Sequence, residues 1–199
     1  DEYRALCYQA YNLAQLRLDQ ELASNPNPSK KPAVVVDIDE TVLDNSPFEA
    51  RCIANGTNYP TGWSEWVGEA SALTIPGAVE FLNYAATHGV EVFYISNRKQ
   101  KELIPTLLNL QNQRFPMADT AHLLLRTSVS NKEDRRNRVL EKFNIVLLAG
   151  DNLNDFTSLF EANDAQMRRH HTDSLRHEFG RKFIVLPNPM YGDWEQALG

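Results

Sequence analysis

Ala33-Val34-Val35-Val36-Asp37-Ile38-Asp39-Glu40-Thr41 is where the chain first shows its architecture. Residues 33–36 are small or β-branched and present no polar face. So short and uniformly apolar a run fits a strand buried on both sides, as in a parallel sheet. The run stops abruptly, and two carboxylates, Asp37 and Asp39, follow it. Ligands of open parallel sheets bind beyond the carboxyl ends of the strands, so both stand where a ligand would be met.

Runs of the same kind recur at residues 90–95, 122–125, 145–149 and 183–186. Helical patterns lie between them at 77–88, 101–113, 133–143, 154–161 and 164–179, the last very polar. Pro105 suits the second of these only in its first turn. Ahead of the first strand, residues 2–22 read as an amphipathic helix with Tyr3, Leu6, Ala10, Leu13, Ala14 and Leu18 on one stripe. Ser24-Asn25-Pro26-Asn27-Pro28-Ser29 ends it. Strands alternating with helices predict an α/β fold, a doubly wound, mainly parallel sheet with right-handed crossovers. Residues 44–75 break the alternation and hold Tyr59, Trp63 and Trp66. That is too long for a turn and predicts a small, mostly helical insert with a functional purpose. The chain is expected to be a single domain in which helix 2–22 and insert 44–75 form a small helical subdomain.

Of the 199 residues, 42% are hydrophobic and 23% charged, the mixture of an ordinary soluble domain. The net charge of -6 argues against a nucleic-acid polymer as partner, which would call for a basic footprint. No apolar run approaches the roughly 18 residues of a membrane span. The sequence opens within a helical pattern at Asp1-Glu2-Tyr3, as a processed or trimmed chain would. Cys7 and Cys52 permit one disulfide, fit no metal site by spacing, and are expected to be two buried thiols. His170, His171 and His177 lie among Arg168, Arg169 and Arg176 on the polar last helix. They read as a surface face rather than a metal site.

The other strand runs also end in polar groups. After 90–95 come Ser96-Asn97-Arg98, beyond 122–125 lies Asn131-Lys132, and after 145–149 come Gly150-Asp151-Asn152-Leu153-Asn154-Asp155. A carboxylate cannot approach a phosphomonoester dianion unless cations cancel the repulsion. Mg²⁺ takes oxygen ligands, usually one or two carboxylates with waters and a phosphate oxygen. Asp37 and Asp151, on neighbouring strands, would supply them. Lys132 would add positive charge, and Ser96 and Asn97 would donate hydrogen bonds to the phosphate oxygens. Asp37 can then attack phosphorus and form an aspartyl phosphate. Asp39, if the chain leaves the strand there, can protonate the leaving oxygen and later deprotonate the attacking water.

Each group has a plainer reading alone. Asp37, Asp39 and Asp151-Asn152 could form turns or caps. Ser96 and Asn97 could cap the next helix, and Lys132 could be a solvated lysine at the start of a charged helix. Their joint appearance in order, each after an apolar run, separates the two readings.

Asp37-x-Asp39-x-Thr41, Ser96, Lys132 and Gly150-Asp151-x-x-x-Asp155 resemble the four motifs of the haloacid-dehalogenase superfamily. Longer stretches narrow the resemblance: Val36 to Thr41, Asp44-Asn45-Ser46, Pro76-Gly77-Ala78-Val79-Glu80-Phe81, Tyr94-x-Ser96-Asn97-Arg98, Gly150-Asp151-Asn152-Leu153-x-Asp155-Phe156, and Leu186-Pro187-Asn188-Pro189-x-Tyr191-Gly192-x-Trp194-Glu195. Together they look like the class C bacterial acid phosphatases, which include outer-membrane lipoprotein acid phosphatases acting as 5′-nucleotidases. The resemblance covers nearly the whole chain. It implies a haloacid-dehalogenase-like Rossmannoid core and a Mg²⁺-dependent phosphomonoesterase. It implies Asp37 as nucleophile and metal ligand, Asp39 as acid/base lending its backbone carbonyl to the metal, and Asp151 as the third protein ligand. Asp155 would orient metal-bound water or Lys132. The family holds a nucleotide base between aromatic rings. Tyr191 would be the C-terminal ring, and Tyr59 and Trp63 are both candidates on the insert side. For Tyr59, Trp63 and Trp66 the alternative is packing within the insert. The resemblance further implies small phosphomonoesters such as 5′-nucleoside monophosphates as substrates, a homodimer, and export to the periplasm or outer membrane of a Gram-negative bacterium. The lipobox cysteine of such anchors is not among these residues, and neither Cys7 nor Cys52 can stand for it.

Three other readings compete. One is a haloacid-dehalogenase phosphatase for a sugar phosphate or phosphoprotein, which a substrate panel separates. Another is a phosphoacceptor module like a receiver domain. That module needs its Asp after the third strand, where Arg126 stands, and has no place for the aromatic insert. The last is a relative that binds phosphate without turnover, which the retention of Asp37, Asp39, Lys132, Asp151 and Asp155 opposes.

Overall fold

β1 (Pro32–Val36) lies at the centre of a five-stranded sheet, between β4 (Glu91–Lys99) and β6 (Asn144–Gly150). β5 (Leu123–Arg126) and β7 (Phe183–Val185) form its edges, in the order β5-β4-β1-β6-β7. Every pairing is parallel. The computed structural model describes residues 1–161, 164–192 and 195. Trp194, quoted above for the resemblance, lies outside them.

Side-chain alternation in β1 explains why the sheet is covered on both faces. Val34 and Val36 join a core with residues of α1 (Glu2–Ser24), α4 (Ala78–Thr87) and α5 (Leu103–Asn112). Ala33 and Val35 join a second core with Val139 of α6 (Glu133–Lys142), Phe156, Phe183, Leu175 and Phe179. The β1–β6 register slips between Ala33↔Ile145 and Val34↔Leu147, a bulge at Val146. It keeps Leu147 and Ala149 on the first face and Leu148 on the second. The chain builds outward from β1 through β4 to β5, then returns to add β6 and β7 on the other side. Strand order therefore reverses at β1, and the crevice that such a reversal opens lies directly beyond Val36. The expected doubly wound α/β fold is the fold observed.

Between β1 and α4, β2 (Leu43–Asp44) and β3 (Leu73–Thr74) pair antiparallel. They bracket α2 (Ser46–Asn55) and α3 (Trp63–Glu69). α7 (Ala165–Ser174) covers less of the polar C-terminal stretch than the pattern predicts, since residues 175–178 turn instead. Leu175 and Phe179 thereby pack against the second core. No helix among the described residues is long and apolar enough to cross a membrane. Cys7 and Cys52 are both buried free thiols.

Besides the shortened α7, three expectations need correction. The strand expected over 90–95 runs on as β4 to Lys99, so Ser96, Asn97 and Arg98 lie within it and not after it. The buried stripe of α1 is Cys7, Ala10, Tyr11, Ala14 and Leu18, while Leu6 is 49% exposed. The helix is rotated so that Tyr11 packs on Phe81, centroids 5.7 Å apart, and its hydroxyl donates to Thr41 O at 2.6 Å. A buried phenol with its hydroxyl paired outweighs a leucine at that face. Residues 154–161 form no α-helix but two 3₁₀ turns, Leu153–Asp155 and Ser158–Glu161. Local side chains claim the backbone: Asn152 Oδ1 accepts from Asn154 N, Asp155 Oδ2 from Asn152 N, and Arg136 Nη1 donates to the carbonyl of Asp155 at 2.8 Å.

Candidate active site

Asp37 begins where β1 ends. Its N–H still donates to Ala149 O at 2.9 Å, so the backbone is held to β6 while the carboxylate enters the crevice. The chain then curls. Ile38 O accepts from the N–H groups of Val42 and Leu43, both at 2.9 Å, and Glu40 takes the left-handed conformation at φ 57°. That conformation is rare for a residue with a Cβ. The curl turns Asp39 out of the strand.

Lys132, buried just before α6, donates to Asp37 Oδ1 and, at 2.6 Å, to Asp155 Oδ1. Asp151, at the end of β6, accepts from Thr41 Oγ1 at 3.2 Å and from Asn188 Nδ2 at 2.8 Å. Asp37, Asp151 and Asp155 each offer a carboxylate oxygen, and these oxygens lie within 4.8 Å of one another. Three carboxylates face one ammonium. Burial raises Asp37 well above the usual carboxylate range; Lys132 pulls it back, but Asp155 and Asp151 add to the rise. Burial, then Asp155, push Asp151 up to about 7 against the Asn188 hydrogen bond and Lys132. Lys132 itself is lowered by burial, but Asp155 and Asp37 outweigh this and hold it above its ordinary value. The cluster is short of positive charge, and its all-oxygen donor set fits a hard divalent cation.

Asp39 lies apart from those three oxygens. Its Oδ1 accepts from Arg98 Nη2 at 2.8 Å, Arg98 Nε at 3.0 Å and Asn45 Nδ2 at 2.8 Å. Its Oδ2 accepts from Ser96 Oγ at 3.3 Å. Ser96, expected to donate to a phosphate oxygen, is fully buried, and its Oγ accepts from Arg98 N at 3.0 Å while its hydroxyl donates to Asp39 beneath the crevice. Asn97 faces the crevice, its Oδ1 held by Arg135 Nη2 at 2.8 Å.

A cavity of about 930 Å³ opens over Asp37, Asp39, Lys132, Asp151 and Asp155. Tyr59, Trp63 and Tyr191 line it too. Trp63 packs edge-on to Phe48 and to Tyr59, with centroids 5.0 and 5.7 Å away, and lies 5.6 Å from the Arg98 guanidinium carbon. Tyr59 is 59% exposed. The Tyr191 hydroxyl donates to Glu40 Oε2, which ties the C-terminal segment to the first motif. Trp66 is different. It is buried, and its Nε1 donates to Asn45 Oδ1 at 2.8 Å.

Gly150 explains itself at this point. A Cβ there would lie 2.4–2.7 Å from Oδ2, Cγ and Cβ of Asp155. Gly150→Ala should push Asp155 off Lys132. The expected cost is roughly 1–3 kcal/mol of stability from overpacking and about 10²-fold in kcat/KM from misplacement. Thermal melts and kinetics check it; wild-type values for both would contradict the packing argument.

Six residues in the site carry roles that sequence reasoning did not assign: Arg98, Glu40, Asn45, Thr41, Asn188 and Arg135. All but Arg135 stood inside the motifs given above, but nothing in a linear pattern says which group each one meets.

Residues 1–194 match the family described as HAD superfamily, subfamily IIIB (acid phosphatase). The structure of a class C acid phosphatase from Bacillus anthracis is similar, with a TM-score of 0.96 and 45% identity, over 100% of this chain and 83% of that one. That of a B. anthracis class C acid phosphatase with tungstate bound gives 0.95 and 44%, with the same coverage. Acid phosphatase 1 of Solanum lycopersicum is 25% identical over 166 residues, 79% of this chain. The match spans only 57% of the tomato protein, little more than half its length. A family match over nearly the full length, together with that fold and this crevice, places the chain in the acid phosphatases of subfamily IIIB of the haloacid-dehalogenase superfamily.

Proposed function

We propose that the protein is a Mg²⁺-dependent phosphomonoesterase that works through an aspartyl phosphate on Asp37 and takes 5′-nucleoside monophosphates. The observation that carries this is Asp37 at the reversal point of the sheet, bonded to Lys132 and clustered with Asp151 and Asp155. The similar B. anthracis protein binds tungstate, a tetrahedral oxyanion, which supports a phosphoryl site here.

Asp37, Asp151 and Asp155 would hold the cation, with the carbonyl of Asp39 as a further oxygen. Bound Mg²⁺ offsets the charge of the carboxylates and of the substrate phosphate. Asp37 Oδ attacks phosphorus and the bond to the leaving oxygen breaks, while Asp39 gives that oxygen its proton. Asp39 then takes a proton from water, whose oxygen attacks phosphorus and releases Asp37 and inorganic phosphate. Lys132 holds Asp37 and Asp155 in place, Asn97 offers its amide to the phosphate, and Ser96 steadies Asp39 from below.

Tyr59, Trp63 and Tyr191 supply rings on the walls of the same cavity. Stacking tolerates base identity and is worth roughly 1–3 kcal/mol per base. The protein should therefore hydrolyse purine and pyrimidine monophosphates alike. Tyr191→Ala should raise KM for nucleotides roughly five- to a hundredfold and leave p-nitrophenyl phosphate little changed. Tyr191→Phe keeps the ring but loses the Glu40 contact, so it separates stacking from anchoring. Equal harm to both substrates in Tyr191→Ala, or poor nucleotide turnover by wild type, would refute the nucleotide reading.

A further inference from the structure

We propose that Trp66, a buried residue of the insert that does not line the cavity, sets the orientation of the Asn45 amide and through it positions Asp39 for proton transfer. This rests on the reading of Asp39 as the acid/base residue.

Asn45 has no exposed surface, and each polar atom of its side chain has a partner. An amide can occupy its place in either of two orientations, and chemistry selects between them. The indole N–H of Trp66 can only donate, so the atom facing it at 2.8 Å must be the amide oxygen. The NH₂ group is thereby committed to the other side, where it meets Asp39 Oδ1 at 2.8 Å and Glu40 Oε2 at 3.3 Å. The backbone N–H of Asn45 donates to Glu40 Oε1 at 2.8 Å and fixes the residue from a third direction. A flipped amide would set its oxygen against two carboxylates and its NH₂ against the indole N–H. In a buried network each such mismatch is expensive.

Asn45 is also the partner of Asp39 on the insert side. Arg98 and Ser96 hold the same carboxylate from the β4 side. Asp39 is therefore suspended between the sheet and the insert that carries Tyr59 and Trp63. Trp66 is 4% exposed, with the Arg51 guanidinium 4.9 Å over its ring. It touches no substrate, so it acts only through Asn45 and is a positioning residue.

The test compares Trp66→Phe, which keeps an aromatic ring and loses the N–H, with Asn45→Asp, which replaces the donor by an acceptor. Asp39→Asn is the reference. Single-turnover release of the leaving group isolates the step in which the leaving oxygen is protonated. It is measured for a 5′-nucleoside monophosphate and for p-nitrophenyl phosphate, whose leaving group needs little protonation. General acid help is worth roughly 10²–10⁴-fold, so a loosened Asp39 should forfeit about tenfold of it on the nucleotide. Trp66→Phe should stay within about twofold of wild type on p-nitrophenyl phosphate and keep KM for both substrates. Asn45→Asp should show the same selectivity with a larger loss. A crystal structure of Trp66→Phe should show the Asn45 amide displaced from Asp39 Oδ1. Equal losses on both substrates, or an Asn45 Nδ2 still seated on Asp39 Oδ1 in the variant, would overturn the inference. If Asp39→Asn itself loses equally on both substrates, the acid/base assignment of Asp39 has failed, and the Trp66 inference falls with it.

Discussion

Asp37→Asn should fold at least as well as the wild type and hydrolyse almost nothing. Loss of a covalent nucleophile costs on the order of 10⁴- to 10⁶-fold in kcat, and what is left comes from binding and electrostatics. The folding half follows from the same carboxylate. Burial, with Asp155 and Asp151, raises the Asp37 carboxyl despite Lys132. A carboxyl raised in the folded state favours folding when protonated and opposes it once ionised. At neutral pH, without metal, the neutral amide therefore removes a burden. Lys132 keeps its second partner, Asp155, at 2.6 Å. The expected melting temperature of metal-free Asp37→Asn is equal to or above that of metal-free wild type. Acid-quenched wild type should carry phosphate on the peptide containing Asp37, and the variant should carry none. Residual kcat within tenfold of wild type would end the nucleophile assignment.

Chelation should abolish turnover, and Mg²⁺ should restore it with an affinity that depends on pH. Burial and Asp155 push Asp151 up to about 7, so the metal-free protein holds a proton there near neutrality. A ligating carboxylate must shed that proton, and affinity should fall about tenfold per pH unit below 7 for one proton displaced. The stability of the metal-free protein runs the opposite way. The Asp151 carboxyl contributes most below its unfolded value of about 3.9. That contribution is lost as pH rises through about 7. The rise in melting temperature on adding Mg²⁺ should therefore be larger at pH 8 than at pH 6. Asp151→Asn should weaken Mg²⁺ binding while leaving the metal-free fold intact. Full turnover in chelated protein, or Mg²⁺ affinity that is flat between these pH values, would refute the metal assignment.

The sheet was legible because its strands are written around short apolar runs, although β4 carries on through Ser96, Asn97, Arg98 and Lys99. Val36-Asp37 and Ala149-Gly150-Asp151 mark the ends of β1 and β6 without help from tertiary structure. What could not be read is what depends on contacts across the fold. The stripe of α1 follows Tyr11, whose hydroxyl finds Thr41 thirty residues away. The helical pattern at 154–161 yields to side chains that capture its backbone groups. Asp39, proposed here for proton transfer, stood out in the sequence, but its supports did not. Arg98 reaches it from β4, 59 residues on, and Asn45 from only six residues on, where the curl after β1 brings it back, and a linear pattern states neither contact.

Glu40 has a further consequence. Its backbone sits at φ 57°, where a side chain costs roughly 1–2 kcal/mol relative to the ordinary helical region. Its carboxylate is buried, raised by burial, Asp39 and Asp151, and yet it is the group that receives Tyr191 and Asn45. A glycine would relax the backbone and remove the buried acid at once. The same change would leave the buried N–H of Asn45 and the Tyr191 hydroxyl without their acceptor, and a buried donor left unpaired costs about 1–3 kcal/mol, which offsets the relief. Backbone strain and a buried acid are thus held at residue 40 by the segments they join, and an engineer seeking heat resistance should leave that residue fixed.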